Sequence, residues 1–200
     1  MQEVASSAEL IRRLTRYYLK EGYWYFVTGH IPDHKAIEKA DITLSTKYET
    51  TLSKWQRHRR KAKGLANVQY LRYQRDFILV ATDGDHPLFF KDRTVRDARK
   101  HPIEIWYYWI RVRSTRRYEV IVAPWAYHVV KEKVIRLATE GRVDAVVEQL
   151  QSLRWINYPG VNRQKRKMVQ EASLLLGRRG KQLNLYLLGR TKASATASES

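Results

Sequence analysis

The sequence predicts an α+β fold: an antiparallel or mixed sheet with a long central hairpin, and helices packed on one face. Three observations carry this. Apolar residues recur at steps of three and four near the start of the chain and again over its last third, the period of helices. From residue 68 to 123 the chain instead holds short runs of β-branched and aromatic residues broken by turn residues, the signature of strands. The resulting order is helix, strand, helix, several strands, then helices, which is not the strict alternation of a parallel α/β sheet.

Taken in order, Ser7 to Lys20 predicts a first helix. Ser6 and Ser7 precede an early Glu9, which suits a positive helix start, and Leu10, Ile11, Leu14 and Tyr18 share one face. Tyr23–Gly29 is aromatic and β-branched and predicts a strand; Pro32-Asp33 predicts a loop. A long second helix is expected from Ile37 to Lys63. Ile37, Leu44, Tyr48, Leu52, Trp55 and Ala62 would form its buried stripe, and Lys47, Lys54, His58 and Lys61 a cationic one, with Gly64 as its stop. Val68–Tyr73 and Phe77–Thr82 predict strands, with Asp83-Gly84-Asp85 as a turn. Ile103–Val112 and Tyr118–Ala123 predict the arms of the hairpin around Ser114-Thr115. Pro124 suits the first turn of a helix that Gly141 ends; a shorter helix spans Val143–Leu153. Tyr158-Pro159-Gly160 is expected as a turn before a last helix, Arg163–Leu176. Residues 191–200 are of low complexity and are expected to be a disordered tail, leaving a single domain over 1–190.

Charge bounds the function. The chain holds 38 Lys and Arg against 20 Asp and Glu, a net +18 in 200 residues. A folded domain with that excess repels itself, and the usual compensation is a polyanionic partner. Clusters at Lys54–Lys63, Arg93–Lys100, Arg111–Arg117, Arg163–Lys167 and Arg178–Lys181 are separated by apolar segments, so the charge belongs to folded elements. The absence of cysteine excludes disulfides, cysteine-bound zinc, iron–sulfur clusters and thiol catalysis. No apolar run reaches the ~18 residues of a membrane span, and the first residues lack a basic and then apolar leader, so a cytoplasmic protein is expected.

Nucleic acid, DNA and RNA undistinguished, is the expected partner. Two kinds of residue would meet it. Cations would neutralise phosphates: Lys47, Lys54, Arg57, His58, Arg60, Lys61 and Lys63 on the second helix, Arg72, Arg111, Arg113, Arg116 and Arg117 on the strands, and Arg163, Lys165, Arg166 and Lys167 on the last helix. Aromatic faces would stack on unpaired bases. In the run Trp106-Tyr107-Tyr108-Trp109, strand alternation predicts one pair in the core and the other free, and Glu104 on the same side favours Trp106 and Tyr108 as the free pair. Helices on one side would leave such a sheet face open.

A metal-dependent nuclease or nicking enzyme is the alternative. Asp83, Asp85 and His86 follow a strand and could hold Mg²⁺ or Mn²⁺, with His30 as a further candidate imidazole. Tyr127, with Lys131 one helical turn on, resembles the nucleophile of the tyrosine nicking enzymes of rolling-circle replication and transposition, a resemblance that implies covalent chemistry at Tyr127. The His–hydrophobic–His triplet those enzymes use to bind metal is absent from the sequence. A phosphate-binding Gly-x-x-x-x-Gly-Lys-Ser/Thr loop, a Gly-x-Gly-x-x-Gly turn and a Gly-x-Ser-x-Gly elbow are absent too, which excludes the motor, Rossmann and α/β-hydrolase classes in their usual forms. The expected function is therefore a nucleic-acid-binding protein, an accessory of a mobile element, a replication complex or a ribonucleoprotein. A structural protein docking on an acidic partner is the second alternative.

Overall fold

A computed structural model of the chain describes residues 2–114 and 117–183. The α+β class holds, with helices and two sheets among these residues. Where the sequence suggested one domain, the chain clusters into two compact units, the first running to Glu119 and the second beginning at Val120. The tail expected at 191–200 lies outside the described residues, as does Arg116.

In the first unit, β1 (Gln2–Glu3) precedes α1 (Ser7–Arg13), whose Ser6 side chain accepts from the Glu9 amide at 3.1 Å. The helix does not run on regularly to Lys20. It widens into a π-turn at Leu14–Tyr18, where the Thr15 hydroxyl donates to the Ile11 carbonyl, then tightens and ends at Gly22, φ +87°. The main sheet has the order β1-β3-β4-β2-β5, built from β2 (Tyr23–His30), β3 (Val68–Tyr73), β4 (Asp76–Thr82) and β5 (Arg96–Asp97). It is mixed: β1 joins β3 in parallel, and the other pairs are antiparallel.

The register Val68↔Ala81, Tyr70↔Leu79 and Val27↔Leu79 puts Val68, Tyr70, Leu79, Ala81 and Val27 on one face. There they pack with Tyr48, Phe89 and Leu44 in one cluster. The opposite face of the same strands is no freer: Phe26, Leu71, Ile78 and Val80 are all buried. The open sheet face expected as a stacking platform is therefore not found on these strands.

The long second helix is two. α2 (Ile37–Lys47) ends at Tyr48, and Glu49 adopts φ +50°. α3 (Lys54–Ala62) then starts afresh at Ser53 with a capping box: Ser53 Oγ accepts from the Gln56 amide at 3.3 Å, and the Gln56 side chain accepts from the Ser53 amide at 2.7 Å. The break resets the helical phase, so residues before and after it no longer share a stripe. Gly64, φ +71°, ends α3 as expected.

The expected strand 103–112 is likewise two. β6 (Ile103–Ile105) and β7 (Tyr108–Ser114) form a hairpin closed by Trp106-Tyr107, with Ile105 opposite Tyr108. A second sheet has the order β6-β7-β8, with β8 at Arg117–Val122 and an Arg113–Glu119 ion pair at 2.7 Å.

The second unit holds the rest of β8 and three helices: α4 (Pro124–Thr139), α5 (Val143–Gln151) and α6 (Pro159–Gly177). Val134, Leu137 and Ala138 of α4, Val146 and Leu150 of α5, and Met168, Ala172 and Leu176 of α6 make its core. Lys131 and Glu171 pair at 2.7 Å. The Gln164 side-chain amide accepts from the Val122 N–H at 2.8 Å and donates to the Val122 carbonyl at 3.0 Å. Pro159 is the first residue of α6 rather than part of a turn before it, because its fixed φ suits that position. Arg163–Lys167 thus sit a turn inside the helix instead of at its start.

Candidate nucleic-acid interface

α3 has nine residues, none of them buried, and no acid. It is held by polar ties on one side only. Arg57 Nη1 donates to the Leu52 carbonyl at 2.5 Å. Arg60 donates to the Ala66 carbonyl at 3.2 and 3.3 Å and to Glu49 at 2.7 Å, and Asn67 Nδ2 donates to the Arg57 carbonyl at 3.0 Å. These ties fix which way the helix faces. Trp55, His58, Arg59 and Ala62, spaced i, i+3, i+4 and i+7, share the outer face, and Lys54, Lys61 and Lys63 are exposed beside them. Trp55 is 77% exposed. This reverses the sequence expectation. The Trp55/Ala62 stripe points outward, while Arg57 and Arg60, expected on phosphates, bind the protein's own carbonyls. The capping box at Ser53 was visible in the sequence and could have revealed the new phase.

The other expected cations divide in the same way. Arg72 is buried: it holds Asp41 at 3.0 and 3.1 Å, Glu3 at 3.1 Å and the Gln74 carbonyl at 2.6 Å, so it is structural. Tyr70 donates to the same Asp41 at 2.6 Å, and burial together with that carboxylate pushes the Tyr70 hydroxyl far above the ordinary phenol range. Lys47 is exposed, 4.9 Å over the Tyr48 ring. Arg111 stacks 5.2 Å from the Trp109 ring, and Arg117 is exposed. Lys165 is drawn in, donating to the Leu153 carbonyl at 3.3 Å, and burial lowers its pKa; Arg163, Arg166 and Lys167 are exposed.

The expected stacking pair does not form. Tyr108 is 1% exposed, and Trp106 lies in the hairpin turn at φ +52°, its indole N–H donating to Asp76 Oδ2 at 2.6 Å. The turn breaks the alternation on which the prediction rested, leaving Tyr107 as the exposed ring.

The acidic and imidazole residues do not converge. Asp83 lies 3.7 Å from Arg99, which also grips Asp97 and stacks 4.5 Å from the Trp24 ring. Gly84 explains the Asp-Gly-Asp motif. Its φ is +121°, and a Cβ there would meet the Ala66 nitrogen and Gly64 oxygen at 2.6 Å, so the turn is pressed against the chain at 64–66. Asp85 anchors this contact through its backbone, its N–H donating to Gly64 and its carbonyl accepting from Ala66, each at 2.9 Å. His86 is buried beside Tyr48 and Phe89, and its Nδ1 accepts from the Phe89 amide at 3.2 Å. No group of three potential metal ligands exists among the described residues. Tyr127 belongs to the second unit. Its hydroxyl donates to the Gln164 carbonyl at 3.2 Å, and burial raises its pKa, the opposite of what activates a nucleophile. Among the described residues no helix is long and apolar enough to cross a membrane.

Comparison of the chain with models of protein families, with characterised proteins and with solved structures finds no match.

Proposed function

We propose that this chain binds nucleic acid, chiefly through phosphates, with the outer face of α3 as its principal contact. One observation carries the reading. A helix with five cations, no acid and no buried residue projects an exposed tryptophan amid its charges. Such a helix gains little from burial, so its sequence makes physical sense when a polyanion covers it. Lys54, Arg59, Lys61 and Lys63 would neutralise phosphates, and Trp55 would stack on an unpaired base, each stack worth ~1–3 kcal/mol.

Fluorescence anisotropy with labelled single- and double-stranded DNA and RNA tests this. Affinity should fall linearly with salt on logarithmic axes. Trp55→Ala should weaken single strands by about tenfold, spare duplexes and leave the salt slope unchanged. A flat salt response would overturn the reading.

A further inference from the structure

Away from α3, the first unit contains a cavity of 620 Å³ between the end of β2, the loop after it and the start of α2. Its volume lies in the range of small-ligand sites, ~300–1,000 Å³. Ile31, Ala40, Leu44 and Phe77 give it an apolar lining; His30, His34, Lys35 and Lys39 stand around it, and no carboxylate is among the described residues that line it. That combination suits a flat apolar body joined to an anion.

The cavity is preformed. The loop at 31–35 is gathered by one side chain: Arg75 Nη1 donates to the carbonyls of Ile31, Pro32 and Lys35 at 3.4, 2.9 and 3.2 Å, Nη2 donates to that of Asp33 at 3.2 Å, and Nε pairs with the Asp33 carboxylate at 3.2 Å. Phe77 can lie across β2 only because residue 29 is glycine: a Cβ there would stand 2.4 Å from the ring. His30 is oriented as well. Its Nδ1 lies 2.6 Å from Asp76 Oδ1, and the other oxygen of Asp76 accepts from the Trp106 indole. A carboxylate holding Nδ1 leaves Nε2 to meet a ligand, and Nε2 has no partner among the described residues. Trp106 adopts a backbone conformation that favours glycine, φ +52°, while making this contact.

We propose that this cavity receives one unpaired nucleotide, its base against Phe77 and Leu44, its phosphate between Lys35, Lys39 and His34, and a polar edge or hydroxyl meeting His30. The proposal rests on the nucleic-acid reading for the source of the nucleotide. A base paired in a duplex cannot enter, so the site would select single strands.

The test titrates the intact protein with adenosine and uridine 5′-monophosphate, the matching nucleosides and inorganic phosphate, by calorimetry and by NMR of the labelled chain. Saturable binding of a nucleotide, stronger than that of its nucleoside or of phosphate, is expected. Ala40→Trp, which fills the cavity from a helical position, should abolish it. Lys39→Gln, at an exposed position, should weaken it by about three- to tenfold and serves if Ala40→Trp fails to fold. Phosphate binding as tightly as the nucleotides would reduce the site to a cationic patch and overturn the proposal. So would a protein that retains polynucleotides but ignores every mononucleotide, and that result would leave the α3 reading standing. Saturable mononucleotide binding without any polynucleotide binding would do the reverse.

Discussion

The orientation of α3 allows two substitution sets, drawn from one nine-residue helix and the lysine after it, to be set against each other. The outer set replaces Lys54, Arg59, Lys61 and Lys63 with Gln; the inner set replaces Arg57 and Arg60 with Gln. The outer side chains are exposed, and their loss should change stability by less than ~0.5 kcal/mol. If all four touch a single strand, the slope of log affinity against log salt should flatten by up to ~2.8, at ~0.7 per contact. Between about 50 and 200 mM salt, wild-type affinity would then fall about 50-fold further than that of the variant. The inner arginines make charge-assisted bonds to the Leu52 and Ala66 carbonyls and to Glu49. Each is partly exposed, so their loss should cost ~1–2 kcal/mol apiece and barely touch the slope. Urea unfolding and anisotropy at several salt concentrations read both quantities. An inner set that flattens the slope without destabilising, beside an outer set that leaves it intact, would refute the orientation and restore the arrangement the periodicity suggested.

Three further outcomes are expected. Asp41→Asn should destabilise the first unit by ~3–5 kcal/mol in urea, because it leaves the buried Arg72 facing a neutral group; a loss under ~1 kcal/mol would mean that Glu3 alone suffices. Gly84→Ala should lower stability by ~2–3 kcal/mol, since its Cβ meets backbone at 2.6 Å and its φ is +121°; an unchanged melting temperature would contradict the close approach at 64–66. The side-chain hydrogen bonds of Arg99 hold the Asp97 carboxyl below its usual 3.8. Its contribution to stability is therefore complete above that value and fades as pH falls through the lowered one, so Asp97→Asn should flatten this part of the acid limb in pH-dependent unfolding.

Much of the fold was legible because its signals are local. Val68–Tyr73 is recovered residue for residue, and Pro124 and Gly141 bracket α4 as expected. The failures at α3 and at the β6–β7 hairpin share a cause. Trp106 opens a two-residue hairpin turn at positive φ, and Glu49 breaks a helix there, positions where glycine would have announced the change. Without that announcement, the period runs across the breaks at Glu49 and Trp106, and the aromatic residues beyond them, Trp55 and Tyr108, fall on the wrong face. So Trp55 was expected inside and Tyr108 outside, and the opposite holds. The Arg75 clamp and the Asp76 link between His30 and Trp106 were out of reach for a different reason. They join residues 30 to 46 positions apart, and no spacing rule connects them.

Gln164 has a consequence for solubility. A side-chain amide carries the same donor and acceptor as a peptide unit, and here it takes both hydrogen bonds of Val122, on the outermost strand of its sheet. Both backbone groups of Val122 are thereby taken, so no added backbone can pair with the chain at that residue. If the net +18 is drawn together along a polyanion as proposed, neighbouring copies lose their mutual repulsion when they bind. A side chain that blocks strand addition then matters most in the bound state, where crowding on the polymer would otherwise favour aggregation through exposed sheet edges.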